Sequence, residues 1–284
     1  MPIGYGNESS RIIIKTVGGV VLDGQVIDAF DYAQHVAKEI GELLSAHLYQ
    51  PEDELSNTAK DVKVKQDLWS EQHIRAMLQS RFSWAILGEE LGCSEVEQRA
   101  MERDFYWVVD PLDGTVNYSR GIPFFAVSIG LWHGNDPVFG VVYDVYHRTM
   151  YAGRVGAGAT KNGQELKVSS VQSRTKAVIC TGFPAAHHFQ VDQMNNYFKE
   201  IFEFQKVRMI GSASLSLALV ASGSADAYWE EHIRFWDVAA GLALVKAAGG
   251  AISFVPHLHT KWTMTVHAAA SEKLFGEVMM HDPL

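Results

Sequence analysis

Cysteine is scarce in this sequence. Cys93 and Cys180 are the only two, they form no CxxC pair, and they provide no disulfide framework. Both read as packing thiols in a reducing compartment. Long apolar runs are missing too: no stretch approaches the roughly 18 residues that suggest a membrane span, and the N-terminus lacks the basic-then-apolar order of a secretory signal. The expectation is a cytoplasmic protein with no membrane partner. Positive charge is also in short supply, with 24 Lys and Arg against 33 Asp and Glu, for a net charge of -9. That balance argues against a general grip on nucleic acid, and it leaves an anionic substrate to be met by metal ions or a local basic spot. Internal repeats and low-complexity tracts are absent. What remains is ordinary: 47% hydrophobic and 20% charged residues over 284 positions, enough to bury the core of one large domain or two intimately packed ones.

One stretch organises the chain, Trp107-Val-Val-Asp110-Pro111-Leu112-Asp113-Gly114-Thr115-Val-Asn117-Tyr118. Phe105 to Val109 reads as a buried strand, short, β-branched and aromatic. Pro111 cannot donate to a ladder, so the strand is expected to end there and the chain to turn. Gly114 lets the backbone approach a ligand. Two carboxylates with the Leu112 carbonyl between them are hard oxygen donors, suited to Mg2+ or Mn2+ rather than zinc. Taken alone, the same pattern also describes a strand-end turn with solvated aspartates.

Before this stretch, Arg11 to Val17 and Val20 to Leu22 read as two short strands around Gly18-Gly19. From Val26 to about Leu48, Ile27, Phe30, Ala33, Val36, Ala37, Ile40, Leu43 and Leu44 recur at helical spacing, giving an amphipathic helix. Asp67 opens a second helix with Leu68, His73, Ile74, Met77 and Leu78 inward; an aspartate there is most often a cap. Trp84 to Leu87 is a short strand ending in Gly88-Glu89-Glu90, and Ser94 to Arg103 a charged connector. Pro123 to Trp132, Val138 to Tyr143 and Thr149 to Gly153 form an antiparallel meander, with a further strand near Leu166.

From Ala177 strands alternate with helices. Val178 to Thr181, Val207 to Ile210, Ala225 to Trp229, Ala251 to Val255 and Thr265 to Ala270 are strands. Val191 to Phe204, Leu215 to Ala221, about Asp237 to Ala248 and a segment from Ser271 are helices. The class is therefore α/β, with an α+β N-terminal half and an α/β C-terminal half. The expected division is an extension over 1–25, an α+β half over 26–172 and an α/β half over 173–284, together one catalytic unit. Asp237 at a helix start could be only a cap, and Gly211-Ser212-Ala213 opens another helix where free N–H groups suit an oxygen-rich ligand.

Leu87-Gly-Glu89-Glu90, Asp110-Pro-Leu-Asp113-Gly-Thr115-Val-Asn117-Tyr118, Gly211-Ser-Ala213, Ala225-Asp-Ala-Tyr-Trp-Glu230 and Trp236-Asp237-Val-Ala-Ala-Gly241 together resemble the inositol monophosphatase family, Mg2+-dependent, lithium-sensitive phosphomonoesterases. The resemblance runs from roughly Phe30 to the C-terminus. It implies a layered αβαβα sandwich of the inositol monophosphatase and fructose bisphosphatase type, and commonly a homodimer. It further implies that Glu89, Asp110, the Leu112 carbonyl, Asp113 and Asp237 hold two or three Mg2+ ions, with Mn2+ able to substitute. Asp67 and Thr115 would orient and help deprotonate a metal-bound water. Gly114 and Thr115 amides would hold phosphate oxygens, while Asp113, Gly211, Ser212, Ala213 and Glu230 face the alcohol.

The implied reaction is hydrolysis of a monoester of a small polyol or sugar, with myo-inositol 1-phosphate favoured by Asn117-Tyr118 and Glu230. Histidinol phosphate, fructose 1,6-bisphosphate and nucleotide bisphosphates are the alternatives among related enzymes. A partner-binding regulatory protein on the same scaffold is the alternative of another class. Departures from the family pattern are Lys63-Val64-Lys65-Gln66 where Val-Thr is common before Asp67, no lysine match near Ser56, and Ser212 where threonine is frequent. His232, beside Glu230, is expected on the rim.

Overall fold

The computed structural model describes residues 16–17, 20–21, 24–47, 49–50, 53–57, 62–183, 191–257 and 259–279. Most of the expected 1–25 extension lies outside this set. Its described parts are β1 (Thr16–Val17) and β2 (Val20–Val21), paired antiparallel, and Gly24 and Gln25, which already belong to the first helix.

Helix α1 (Gly24–Ala46) follows, burying Val26, Ala29, Ala33, Val36, Ala37, Ile40 and Leu44. The stripe is rotated slightly from the expected one, so Ile27, Phe30 and Leu43 flank it rather than lie at its centre. Next come β3 (Glu54–Asn57) and β4 (Val62–Val64), an antiparallel pair, and α2 (Lys65–Gln79). The buried face of α2 carries Asp67, Ser70, Glu71, Ile74 and Leu78, while His73, expected inward, is exposed. Three of these five are polar: Asp67 bonds with Thr115, and Glu71 with the backbone of Glu90 and Leu91.

Strand β5 (Ala85–Gly88) leads to α3 (Glu95–Met101), where a connector was expected. Its start signal is a reciprocal cap: Glu97 N–H donates to Ser94 Oγ at 3.3 Å, and Ser94 N–H to Glu97 Oε2 at 2.7 Å.

Strand β6 (Phe105–Asp113) does not stop at Pro111. Its register with β7 (Ala126–His133) jumps from Asp110↔Ser128 to Asp113↔Ala126, so two residues of β6 face one of β7. Pro111, with no N–H to pair, falls in this bulge, and the strand runs on to bring Asp113 into line. Short α4 (Thr115–Arg120) bridges the two strands. The meander continues through β8 (Asp136–Asp144), β9 (Thr149–Arg154), β10 (Gly158–Lys161) and β11 (Gln164–Leu166). These strands form a seven-stranded sheet, β11-β10-β9-β8-β7-β6-β5, in which only the β5–β6 pair is parallel.

The C-terminal half supplies β12 (Val178–Cys180), α5 (Val191–Ile201), β13 (Lys206–Arg208), α6 (Ala213–Ala221), β14 (Ala227–Arg234), α7 (Phe235–Ala247), β15 (Ala251–Pro256), β16 (Thr263–Ala269) and α8 (Glu272–Met279). Its sheet has the order β13-β12-β14-β16-β15 and is mixed: β12 runs parallel to β13 and β14, the other pairs antiparallel.

Strand periodicity sorts side chains between layers. Trp107 and Val109 join α1 and α2 in one core, whereas Tyr106 and Val108 face the opposite way and join α6, α7, Tyr228 and Val266 in another. A third core packs Trp229 and Ala269 against α5 and α8. The layers are thus helices, sheet, helices, sheet, helices. Helices α6 and α7 are apolar on nearly every side because a sheet covers each flank. Among the described residues no helix is long and apolar enough to cross a membrane.

Candidate active site

Asp110 and Asp113 lie at the bulged end of β6, 1% and 7% exposed. Leu112 N–H donates to Asp110 Oδ1 at 3.0 Å, turning that carboxylate back over its own loop. Gly114, at φ 90°, then reverses the chain into α4; a Cβ there would stand 2.7 Å from the Phe124 carbonyl oxygen. Thr115 Oγ1 lies 3.1 Å from the Leu112 carbonyl oxygen and 3.3 Å from Asp67 Oδ1, and its one hydrogen serves one of them at a time. Asp67 is the third residue of α2 and accepts from Val64 N–H at 2.8 Å, so one oxygen caps the helix and the other meets Thr115. The capping expectation holds for half of the carboxylate.

Glu89 follows β5 and Asp237 is the third residue of α7, both partly buried. Burial pushes the Glu89 carboxyl up to about 8, reinforced by Asp67 and Glu90. It pushes Asp67 up to about 7, with Glu90 adding to the rise and the bonds from Val64 and Thr115 opposing it. Asp110 is held well above the carboxylate range by burial and then by Glu89, Asp113 and Asp237; Asp237 is raised by burial and then by Glu89, Asp113 and Glu230. Four carboxylates from β5, β6 and α7 therefore feel one another's charge. Among the described residues none of them, nor Asp67, has an ion-pair partner. Nor do any three His, Cys, Asp or Glu side chains among the described residues converge closely enough to form a ready ligand group for a metal ion.

Asp113 is also gripped by the start of α6. Its Oδ2 accepts from Ser212 Oγ at 2.5 Å, Ser214 N–H at 2.8 Å and Ser214 Oγ at 2.5 Å, and its Oδ1 from Ala213 N–H at 3.3 Å. Burial raises this carboxyl, and the bonds from Ser212, Ser214 and Ala213 oppose the rise. Beside it lies a cavity of about 200 Å³ lined by Asp113, Gly211, Ser212, Ala213, Glu230 and Asp237, together with Thr181, Gly182, Phe183, Ser216 and Ile233. Glu230 does not follow its strand, as expected, but lies within β14, where the register with β16 shifts between Glu230 and Ile233. It accepts from Tyr228 Oη at 2.8 Å, and burial pushes it up to about 7. His232 occupies the irregularity at φ 56°, stacks on His257 and does not line the cavity.

Of the expected substrate contacts, Asp113, Gly211, Ser212, Ala213 and Glu230 share this cavity; Gly114 and Thr115 lie outside its lining. Asn117 and Tyr118 also lie outside it and act as braces. Asn117 Nδ2 donates to the Phe124 and Ile210 carbonyl oxygens, each at 2.7 Å, and lies 3.3 Å from that of Gly211. Tyr118 Oη donates to the His47 carbonyl oxygen. Sequence reasoning missed Ser214, Glu71 and Arg75. The last two were detectable, since they follow Asp67 at four-residue steps on one helix face.

Comparison with known proteins shows the family. The model of the inositol monophosphatase family matches residues 23–274. The chain is 38% identical over 229 residues to a protein named Nus factor SuhB from Pseudomonas aeruginosa, covering 78% of this chain and 83% of that one. It is 36% identical over 198 residues to a fructose-1,6-bisphosphatase/inositol-1-monophosphatase from Aquifex aeolicus, covering 69% and 73%. The structure of inositol monophosphatase from Anabaena (Nostoc) superposes with a TM-score of 0.76 at 31% identity, covering 89% of this chain and 94% of that one. The chain belongs to the inositol monophosphatase family and is a phosphoric monoester hydrolase.

Proposed function

We propose that this enzyme hydrolyses the phosphate monoester of a small polyol or sugar, with myo-inositol 1-phosphate as the favoured substrate and Mg2+ as the activating ion. The observation that carries the reading is a set of four acids, Glu89, Asp110, Asp113 and Asp237, all raised by burial and none with an ion-pair partner among the described residues, Asp110 and Asp237 being raised further by the charges of Glu89 and Asp113. Such a cluster calls for cations, and an all-oxygen donor set that includes the Leu112 carbonyl suits Mg2+ or Mn2+. When bound, the cations would neutralise the ester and make water a better nucleophile. The side chains of Glu89, Asp110, Asp113 and Asp237 and the Leu112 carbonyl would hold them.

The remaining roles belong to the chain. Asp67, pushed up to about 7 and bonded to Thr115, orients a water for in-line attack and takes its proton near neutral pH. The Gly114 and Thr115 N–H groups hold phosphate oxygens. Glu230, its carboxylate steadied by Tyr228, accepts hydrogen bonds from polyol hydroxyls, while Gly211, Ser212 and Ala213 shape the alcohol pocket. A small cavity with three carboxylates in its lining suits a neutral polyol better than a second phosphate.

Phosphate release with Mg2+ across inositol, histidinol, sugar and nucleotide monoesters and fructose 1,6-bisphosphate tests this. The highest kcat/KM is expected on inositol phosphate, and a preference for a bisphosphate would overturn the substrate assignment. The proposal also takes the enzyme to be a cytoplasmic homodimer, which sedimentation of the purified chain and fractionation of cells would check. The relative named as a Nus factor favours a second reading, action through a protein partner. No release from any ester, with specific capture of one protein, would establish that reading instead.

A further inference from the structure

Glu71 is a fully buried carboxylate that the reaction above does not use. It lies one helical turn after Asp67 on α2, and Arg75 lies one turn further on the same face. Arg75 Nε donates to Glu71 Oε1 at 2.8 Å. The carboxylate then reaches across to the loop after β5, where Glu90 N–H donates to Oε2 at 2.7 Å and Leu91 N–H to Oε1 at 3.2 Å. Arg75 Nη2 donates to the Gly92 carbonyl oxygen, gripping the far end of the same loop. Gly88 and Gly92 close its base through reciprocal backbone bonds of 3.4 and 3.1 Å. Contact is so close that a Cβ on Gly88 would stand 2.0 Å from Glu71 Oε1. Lys63, on the strand just before α2, holds the Glu90 side chain at 2.6 Å.

Apart from the bond between Arg75 and Glu71 themselves, each of these bonds ends on a residue between Gly88 and Gly92, and none uses the Glu89 carboxylate. The loop's backbone is fixed from behind while that carboxylate is left toward Asp67, whose charge raises it, and Asp110, with which it shares a hydrogen bond. Because Asp67 lies in the first turn of the same helix, α2 holds two corners of the site in one rigid relation. We propose that Glu71 and Arg75 are positioning residues that preset Glu89 for a divalent cation. The inference rests on the metal reading given above. Its physical basis is that groups orienting a ligand from behind set metal affinity, because without them the cation must order the loop as it binds.

The test is direct Mn2+ binding to the full-length protein, by calorimetry and by water-proton relaxation, beside kinetics. Glu71→Gln keeps the volume but removes the charge that Arg75 holds. It is expected to fold, shown by an unchanged far-ultraviolet spectrum and a cooperative melt, and to bind Mn2+ about 10–100-fold more weakly. Its kcat at saturating Mn2+ should stay within about threefold of the parent, since no group at the reacting atoms has changed. Arg75→Lys, which keeps the charge but cannot bridge Glu71 and Gly92 as the guanidinium fork does, should show the same split in milder form and serves if the first variant fails to fold. A folded variant that binds Mn2+ as the parent does, or one that loses kcat with unchanged binding, would overturn the inference. Absence of Mn2+ binding in the parent itself would instead overturn the metal reading beneath it.

Discussion

Asp113 accepts bonds from Ser212, Ala213 and Ser214, all at the start of one helix. Its Oδ2 is taken up by three donors, so a cation approaching this residue has Oδ1 to use. Among the described residues Asp110 accepts a single backbone bond, from Leu112 N–H at Oδ1, and no helix start grips it. That contrast makes Asp110 the sharper residue to test. Asp110→Asn removes a charge without removing volume, so the melt should stay cooperative while kcat/KM for the best monoester falls by about 100-fold or more, past the range seen for groups that merely support a ligand. Turnover like the parent's would remove Asp110 from the ligand set. Residue types and spacing singled out Asp110 and Asp113 as hard oxygen donors, whereas Glu89 and Asp237 became candidate ligands only through the family resemblance, since solvated glutamates and a helix cap explain them equally well. Ser214 was not legible, since a serine in a helix's first turn has ordinary explanations and only the fold brings Asp113 to it.

Elements meet at this site through a small number of polar braces. Asn117, in α4, binds both the Phe124 carbonyl and, 93 residues further along the chain from itself, the Ile210 carbonyl, and so couples the β6–β7 turn to the lead-in of α6. Replacing it with alanine would leave buried carbonyls without a partner. Asn117→Ala is expected to destabilise the fold by about 1–3 kcal/mol, read as a lower midpoint in urea, and to raise KM more than it lowers kcat as Gly211 to Ala213 loosen against the alcohol. A shift in kcat alone would contradict that role. Asn117 was visible in the sequence as part of a motif, yet its use was not, because a motif does not say whether a side chain faces the ligand or the scaffold. Pro111 shows the same limit. It reads as a strand terminator, but the sheet absorbs it in a bulge and continues to Asp113.

Across the whole molecule, acidic groups are collected between layers before any cation is considered. Asp67 rises from near 4 to about 7 and Glu89 from near 4 to about 8. The folded chain therefore holds protons that the unfolded chain releases, so the sign of the linkage is a loss of stability with rising pH. The contribution of this cluster is fully present below about pH 4 and fades as pH climbs through about 7 to 8. Melting of the chelated protein across this window should show the melting temperature falling at the alkaline end. Mg2+ or Mn2+ should restore it there, with a larger increment at pH 8 than at pH 6, because binding a cation to deprotonated carboxylates stabilises only the folded form. An increment independent of pH would mean that these carboxylates are not where the ion binds.

Local chemistry settled much of this protein before any coordinate. Hydrophobic period marked α1, the meander and the alternating second half, and the Asp110 to Asp113 turn marked two oxygen donors, because side-chain direction and donor type are properties of a few neighbouring residues; the rest of the candidate ligand set came from the family resemblance. Tertiary structure alone decided which groups meet. It set Glu71 and Arg75 behind the Glu89 loop, laid the start of α6 over Asp113, and turned Asn117 and Tyr118 away from the cavity. Those outcomes depend on layers packed between residues far apart in the chain, and no local pattern records the register at which two such layers come to rest.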